Sequence, residues 1–307
     1  MINVMSYTNY KNMEVEYQLE TLKGHVGKVN SVSWSKDGVL IASASDDRTV
    51  GIWKSDERKN LRFLIGHNGW VTHVEWSHDE NFLASCGTDK RIIIWDKKNF
   101  SAIRKFSGHS ESVYHVSWSP NGRFLASGSL DKRVIIWDLR GNRPFKILWN
   151  HKGSITSVSW HPSSKFLAVS SMDKTIVIWE IMSGQKIRIY ERHTQGVLCV
   201  DWHPNGRYLA SGSMDRQIIV RDNRSGAVKY ILKGHRGDIT CVKWSPDGKY
   251  LASSSTDGSI NIWRDDELIA SLTLFGRIRS LSWSPDGKSI VAASSDGNLY
   301  VLRNIKI

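Results

Sequence analysis

The chain has 307 residues, 40% hydrophobic and 23% charged, a balance that supports a buried core. Its 42 Lys and Arg exceed its 30 Asp and Glu, and the net charge of +12 permits an anionic partner without requiring one. Three cysteines (Cys86, Cys199 and Cys241) exclude a disulfide framework, and no apolar run reaches the roughly 18 residues of a membrane span. A sparse, odd cysteine set fits a reducing compartment. The opening MINVMSYTNYKNMEVE lacks the basic and apolar regions of a secretory signal. The expectation is a soluble cytoplasmic protein, with the nucleus as alternative. Trp stands out at 14 residues, which directs attention to repeats.

Taken in chain order, residues 1–14 are expected to be a flexible segment and 15–307 a single domain. Residues 15–22 (VEYQLETL) read as a strand. A repeat follows. His25, His67, His109, His151, His193 and His235 are each 42 residues apart. Nine residues after each His comes Trp34, Trp76, Trp118, Trp160, Trp202 or Trp244. Thirteen later comes Asp47, Asp89, Asp131, Asp173, Asp215 or Asp257. Six further on stand Trp53, Trp95, Trp137, Trp179, Arg221 and Trp263. A seventh copy, 277–303, keeps Trp283 and Asp296, lacks the His, and has Leu302 at the last Trp position.

The third copy shows the plan of each. Residues 112–118 are a short strand rich in β-formers, and Ser119-Pro120-Asn121-Gly122 is turn chemistry. Residues 124–129 form a second strand, 130–133 a turn, 134–137 a third strand and 144–148 a fourth. No window has a helical period, so the chain reads as all-β. One such sheet cannot bury both faces alone. Seven four-stranded antiparallel sheets stacked around an axis can, which is a seven-bladed β-propeller.

Gly24-His25, Gly66-His67, Gly108-His109 and Gly234-His235, with Trp95-Asp96 and Trp137-Asp138, resemble the signature pairs of the WD-repeat β-propeller family over almost the whole chain. The resemblance implies a ring closed by the N-terminal strand joining the last blade. It also implies that the recurring Ser-His-Asp-Trp sets are buried hydrogen-bond networks, since six near-identical sets are not six active sites. Four of the six sets are complete: His25, Ser43, Asp47 and Trp53; His67, Ser85, Asp89 and Trp95; His109, Ser127, Asp131 and Trp137; His235, Ser253, Asp257 and Trp263. Val169 replaces the Ser in the fourth copy and Arg221 the Trp in the fifth, while the seventh has Ala292 and Leu302. Blades five and seven are therefore the expected weak points.

No His or Cys pair has metal-ligand spacing, and no phosphate-binding loop is present, so no cofactor, metal or catalytic residue is expected. Nor is an unrepeated ionisable cluster expected at the central channel, and the chain reads as a non-enzyme. Function is sought where copies differ. The resemblance places the ligand face on the His and Asp loops, at three positions per blade. There Trp70, Tyr114, Leu130, Met172, Leu198 and Met214 form an apolar arc over blades two to five, and Lys28, Arg48, Arg277 and Arg279 a basic sector on blades seven and one. Such a surface suits a partner protein's peptide or helix with an apolar stretch and an acidic end. The expected molecule is a monomeric propeller within a hetero-complex, with no membrane contact. The alternative is an RNA-binding propeller, because Arg48, Lys90, Lys132, Lys174 and Arg216 place one cation per blade after the Asp. Twelve of the 14 Trp belong to the repeat, leaving Trp70 and, more weakly, Trp149.

Overall fold

Alternating β-branched and small residues, interrupted every few positions by Pro, Asn, Asp and Gly, produce 29 strands and no helix among the described residues. The computed structural model describes residues 3–8, 14–57, 60–141, 143–149 and 151–306. Six sheets have four antiparallel strands and the seventh has five. Blade three runs Val113–Trp118, Phe124–Ser129, Arg133–Asp138 and Pro144–Trp149, within one residue of the sequence reading at every boundary. With no helix described, none is long and apolar enough to cross a membrane.

Ring closure joins distant parts of the chain. The strand Glu14–Leu22 pairs antiparallel with Leu299–Lys306, so that Leu22 faces Leu299 and Gln18 faces Arg303. A salt bridge between Arg303 Nε and Glu20 Oε2 at 2.7 Å fastens the same seam. Of the segment expected to be flexible, residues 1, 2 and 9–13 lie outside the described residues. Asn3–Thr8 pairs with Glu14–Leu22 as a fifth, outermost strand. Its sequence, NVMSYT, lies outside the 42-residue repeat, so no matching copy marks it as a strand.

The core lies between blades. Ala126, Val134 and Ile136 of blade three pack with Val158, Trp160 and Val177 of blade four. Across the closing seam, Val32 and Trp53 of blade one meet Val291 and Val301 of blade seven. Indole N–H groups also cross the seams. Trp118 Nε1 donates to Glu75 O at 2.9 Å, Trp160 Nε1 to Ser117 O at 3.0 Å and Trp202 Nε1 to Ser159 O at 3.1 Å. The innermost strand of every blade carries a β-bulge near its start, between Val29 and Ser31 in blade one and at the matching places in the other six. A bulge re-aims one side chain out of the ladder. The bulged residues are Asn30, Thr72, Tyr114, Thr156, Leu198, Thr240 and Arg279, all on the face that carries the His and Asp loops.

Candidate functional site

Under that face the repeated polar residues meet. In blade three His109 Nδ1 lies 2.9 Å from Asp131 Oδ2, His109 Nε2 lies 2.8 Å from Ser127 Oγ, and Trp137 Nε1 donates to the same Oγ at 2.9 Å. Blade one repeats this through His25, Asp47, Ser43 and Trp53 at 2.6, 2.7 and 2.8 Å. Blade two uses His67, Asp89, Ser85 and Trp95. The carboxylate fixes the imidazole tautomer: Nδ1 donates to Asp, which leaves Nε2 to accept from the Ser hydroxyl. In blade six His235 reaches Ser253 and Ser259 at 2.7 Å each, Trp263 donates to Ser253 at 2.8 Å, and Asp257 stands back at 3.6 Å.

The breaks in the pattern have visible consequences. In blade four Val169 offers no acceptor or donor, and His151 Nε2 and Trp179 Nε1 are buried without partners. In blade five the buried Arg221 guanidinium lies 4.6 Å from the Tyr190 ring, while its Nε has no partner. Blade seven fills the site with fully buried Ala292 and Leu302, and no buried polar atom of its three inner strands is unpartnered among the described residues. At the His, Ser, Asp and Trp positions of the network, the orphaned groups therefore sit in blades four and five.

These networks also set the response to acid. Burial opposes ionisation of Asp47, Asp131 and Asp173, but the His25, His109 and His151 bonds outweigh it and hold the carboxyls well below their ordinary range. A depressed folded-state pKa means the unfolded chain binds protons first. The contribution is complete above the unfolded value of about 3.9 and is lost as pH falls through the folded value. Urea midpoints should accordingly drop steeply below about pH 4, and a flat profile there would contradict the network's role.

On the surface of this face, Trp70 is 56% exposed, and Tyr114, Leu130 and Met172 are also exposed. Leu198 and Met214 are half-buried. Met172 packs towards blade five, where a Cβ on Gly196 would stand 2.9 Å from its sulfur. Four bulged residues donate across a seam to the next blade: Asn30 to Val71 O, Thr72 to Val113 O, Thr156 to Val197 O and Thr240 to Ile278 O, at 2.6–2.9 Å. Tyr114 and Leu198 occupy the same place without such a bond, and Arg279 turns to Asn30 Oδ1 at 3.1 Å. Trp149 is exposed on the outermost strand of blade three, with the Arg133 guanidinium 5.0 Å from its ring.

Lys28, Arg48, Arg277 and Arg279 are exposed, and none has a carboxylate within ion-pair distance among the described residues. A cleft between blades seven and one is lined by Val26, Lys28, Asp46, Ser295 and Asp296. Val26 is 94% exposed beside it, and Phe275, in the matching loop of blade seven, is 81% exposed. Sequence reading passed over both. Comparison of the residue after each His would have found Val26, but Phe275 has no His in its copy to mark it.

The cation after each Asp has an unusual backbone. Arg48, Lys90, Lys132, Lys174 and Arg216 have φ of 66–73°, in the left-handed region. Gly258 and Gly297 hold the same place in blades six and seven, at φ 86° and 90°.

The opposite mouth of the channel corrects one expectation, because an unrepeated ionisable cluster does form there. Glu75, Asp201, Lys243, Lys36 and His78 line one pocket. Glu75 Oε2 accepts Trp118 N–H at 2.6 Å, Asp201 Oδ2 accepts Trp244 N–H at 3.0 Å, and Lys243 Nζ lies 3.3 Å from Asp201 Oδ1. Ser33 and Ser282 cap Trp76 and Trp34 in the same manner at 3.3 and 3.2 Å. The carboxylates thus satisfy the exposed edge N–H groups of neighbouring blades. Burial, only partly offset by Lys243, pushes the Glu75 carboxyl up to about 7. Deeper in the channel His73 and His115 stack at 3.7 Å. Burial pushes the thiols of Cys86, Cys199 and Cys241 up. No group of three or more His, Cys, Asp or Glu could hold a metal among the described residues.

Comparison with known proteins agrees with this architecture. Residues 71–238 match a family model described as the WDR19 first beta-propeller, and 16–54, 226–264 and 267–301 match the WD domain, G-beta repeat. The chain is 51% identical over 39 residues to the probable cytosolic iron-sulfur protein assembly protein 1 of Vanderwaltozyma polyspora, covering 13% of this chain and 11% of that protein. It is 39% identical over 51 residues to the protein of that name in Kluyveromyces lactis, covering 17% and 15%. It is 43% identical over 44 residues to Protein ALTERED SEED GERMINATION 2 of Arabidopsis thaliana, covering 14% and 6%. The alignments thus span 6–15% of these relatives' own length. Seven blades, the family models and the closed ring give one conclusion: the chain belongs to the WD-repeat β-propeller family.

Proposed function

We propose that the chain is a non-catalytic interaction scaffold whose His and Asp loop face binds a peptide or helix of a partner protein. The observation that carries this reading is the exposure of Trp70, Tyr114, Leu130 and Met172 on three adjacent blades. Single exposed apolar side chains are common on any protein, but aromatic and Met residues gathered on one face match the composition of interface cores. At Tyr114 and Leu198 the chain forgoes the seam hydrogen bond that four other blades make, so fold stability alone does not account for them. The basic sector of Lys28, Arg48, Arg277 and Arg279 suits an acidic end on the ligand. A monomeric propeller inside a larger assembly is the proposed state. The yeast relatives' names, which place those proteins in the cytosol, support a cytoplasmic location.

Affinity capture with the tagged chain, read by mass spectrometry, tests the proposal. Leu130→Asp with Met172→Asp should abolish capture of the specific partner and leave the melting temperature unchanged, because both side chains are exposed. Undiminished capture by the double variant would sink the reading.

A further inference from the structure

We propose that Arg48, Lys90, Lys132, Lys174 and Arg216 form a cationic seat for an acidic segment of a partner protein, whose apolar side chains reach the adjoining Leu130, Met172 and Met214. This rests on the reading of the loop face given above and names the ligand's charge pattern.

The inference starts from backbone strain. Each cation ends a three-residue hairpin loop closed by the same bond. It runs from Arg48 N to Ser45 O at 3.2 Å in blade one, and from Lys132 N to Ser129 O at 3.1 Å in blade three. Such a loop finishes on a left-handed residue, where glycine is the unstrained choice. Blades six and seven use Gly258 and Gly297 and close the turn with the same bond, at 3.2 and 3.3 Å. The turn therefore needs no side chain there, and an L side chain strains it. Five blades nevertheless carry Lys or Arg, and strain that the fold does not require points to a function.

All five are exposed. Lys90 reaches Ser110 O at 2.6 Å and Glu111 at 3.6 Å. The other four have no carboxylate within 4 Å among the described residues. In blades three, four and five the residue two before the cation is apolar, giving the pairs Leu130 and Lys132, Met172 and Lys174, and Met214 and Arg216. A polypeptide with acidic and apolar residues interleaved satisfies both members of each pair. A nucleic acid strand would use the cations but calls for stacking platforms interleaved with them, and of the exposed aromatics described on this face, Trp70, Tyr114 and Phe275, the last stands on blade seven, where Gly297 takes the place of the cation.

Glycine at all five positions tests the proposal, since it removes charge and strain together. The glycine variant should melt no lower than the wild type. Its affinity for a labelled oligoglutamate peptide carrying leucine at regular intervals should fall by roughly tenfold or more, and the wild-type affinity should weaken with added salt. Glutamine at the same positions keeps the side chains, removes the charge and should lose binding to the same extent. Unchanged peptide affinity in both variants would overturn the seat. Tighter binding of polyuridylate than of the peptide by the wild type would overturn it in favour of nucleic acid. Loss of peptide binding in the glycine variant, with undiminished partner capture by the Leu130 and Met172 variant, would support the seat and remove the apolar-arc reading alone.

Discussion

Ser127→Val in blade three is expected to lower the free energy of unfolding by about 2–3 kcal/mol. The substitution installs the residue that blade four already holds at Val169. Ser127 Oγ is fully buried and bonds both His109 Nε2 and Trp137 Nε1. Removing it orphans two polar groups, each at a cost of about 1–3 kcal/mol, while the added methyl groups return roughly 1 kcal/mol by burial. The two orphans of blade four, His151 Nε2 and Trp179 Nε1, show the geometry that should result. For a chain of this size the loss corresponds to a fall in melting temperature of about 5 °C. Calorimetry and urea unfolding would read it, and a wild-type midpoint would show that the network adds nothing.

Asn261→Ile should act in the opposite direction, stabilising by about 2 kcal/mol. Asn261 is fully buried, and neither Nδ2 nor Oδ1 has a partner. The matching positions of blades two to five hold Ile93, Ile135, Val177 and Ile219, all buried. An orphaned amide costs about 1–3 kcal/mol, and the apolar replacement adds favourable burial in a site whose shape the other blades already accept. Overpacking against Gly234, whose Cβ would stand 3.4 Å from Asn261 Nδ2, is the opposing effect. A lowered urea midpoint would mean that this effect wins.

Most of the fold was legible in the sequence because it is written many times. The 42-residue spacing of His25, His67 and His109 imposed the register, and turn residues such as Asn121-Gly122 set the strand ends. The loop-face positions were legible for the same reason. What repetition could not reveal was what a residue meets across the ring. Glu75, Asp201 and Lys243 lie far apart in the chain and gather only when the innermost strands circle one axis. Asn261 reads as one polar residue among many until its neighbours prove unable to pair with it. The left-handed backbone beneath Arg48 and Lys132 cannot be read from charge, since a solvated turn carries Lys or Arg in any conformation. Phe275 escaped because its copy lost the His that anchors the alignment.

Joining Glu14–Leu22 to Leu299–Lys306 has a temporal consequence. The bond between Arg303 and Glu20 spans 283 positions of chain. During synthesis the early strand must wait, unpaired along one edge, until the last blade emerges. Six blades can stack one after another through local contacts, but the seventh is completed only by the most distant pairing in the molecule, the kind that slows folding. Once latched, the ring has no terminal repeat from which to unravel, so slow assembly and resistance to stepwise opening come from the same strand.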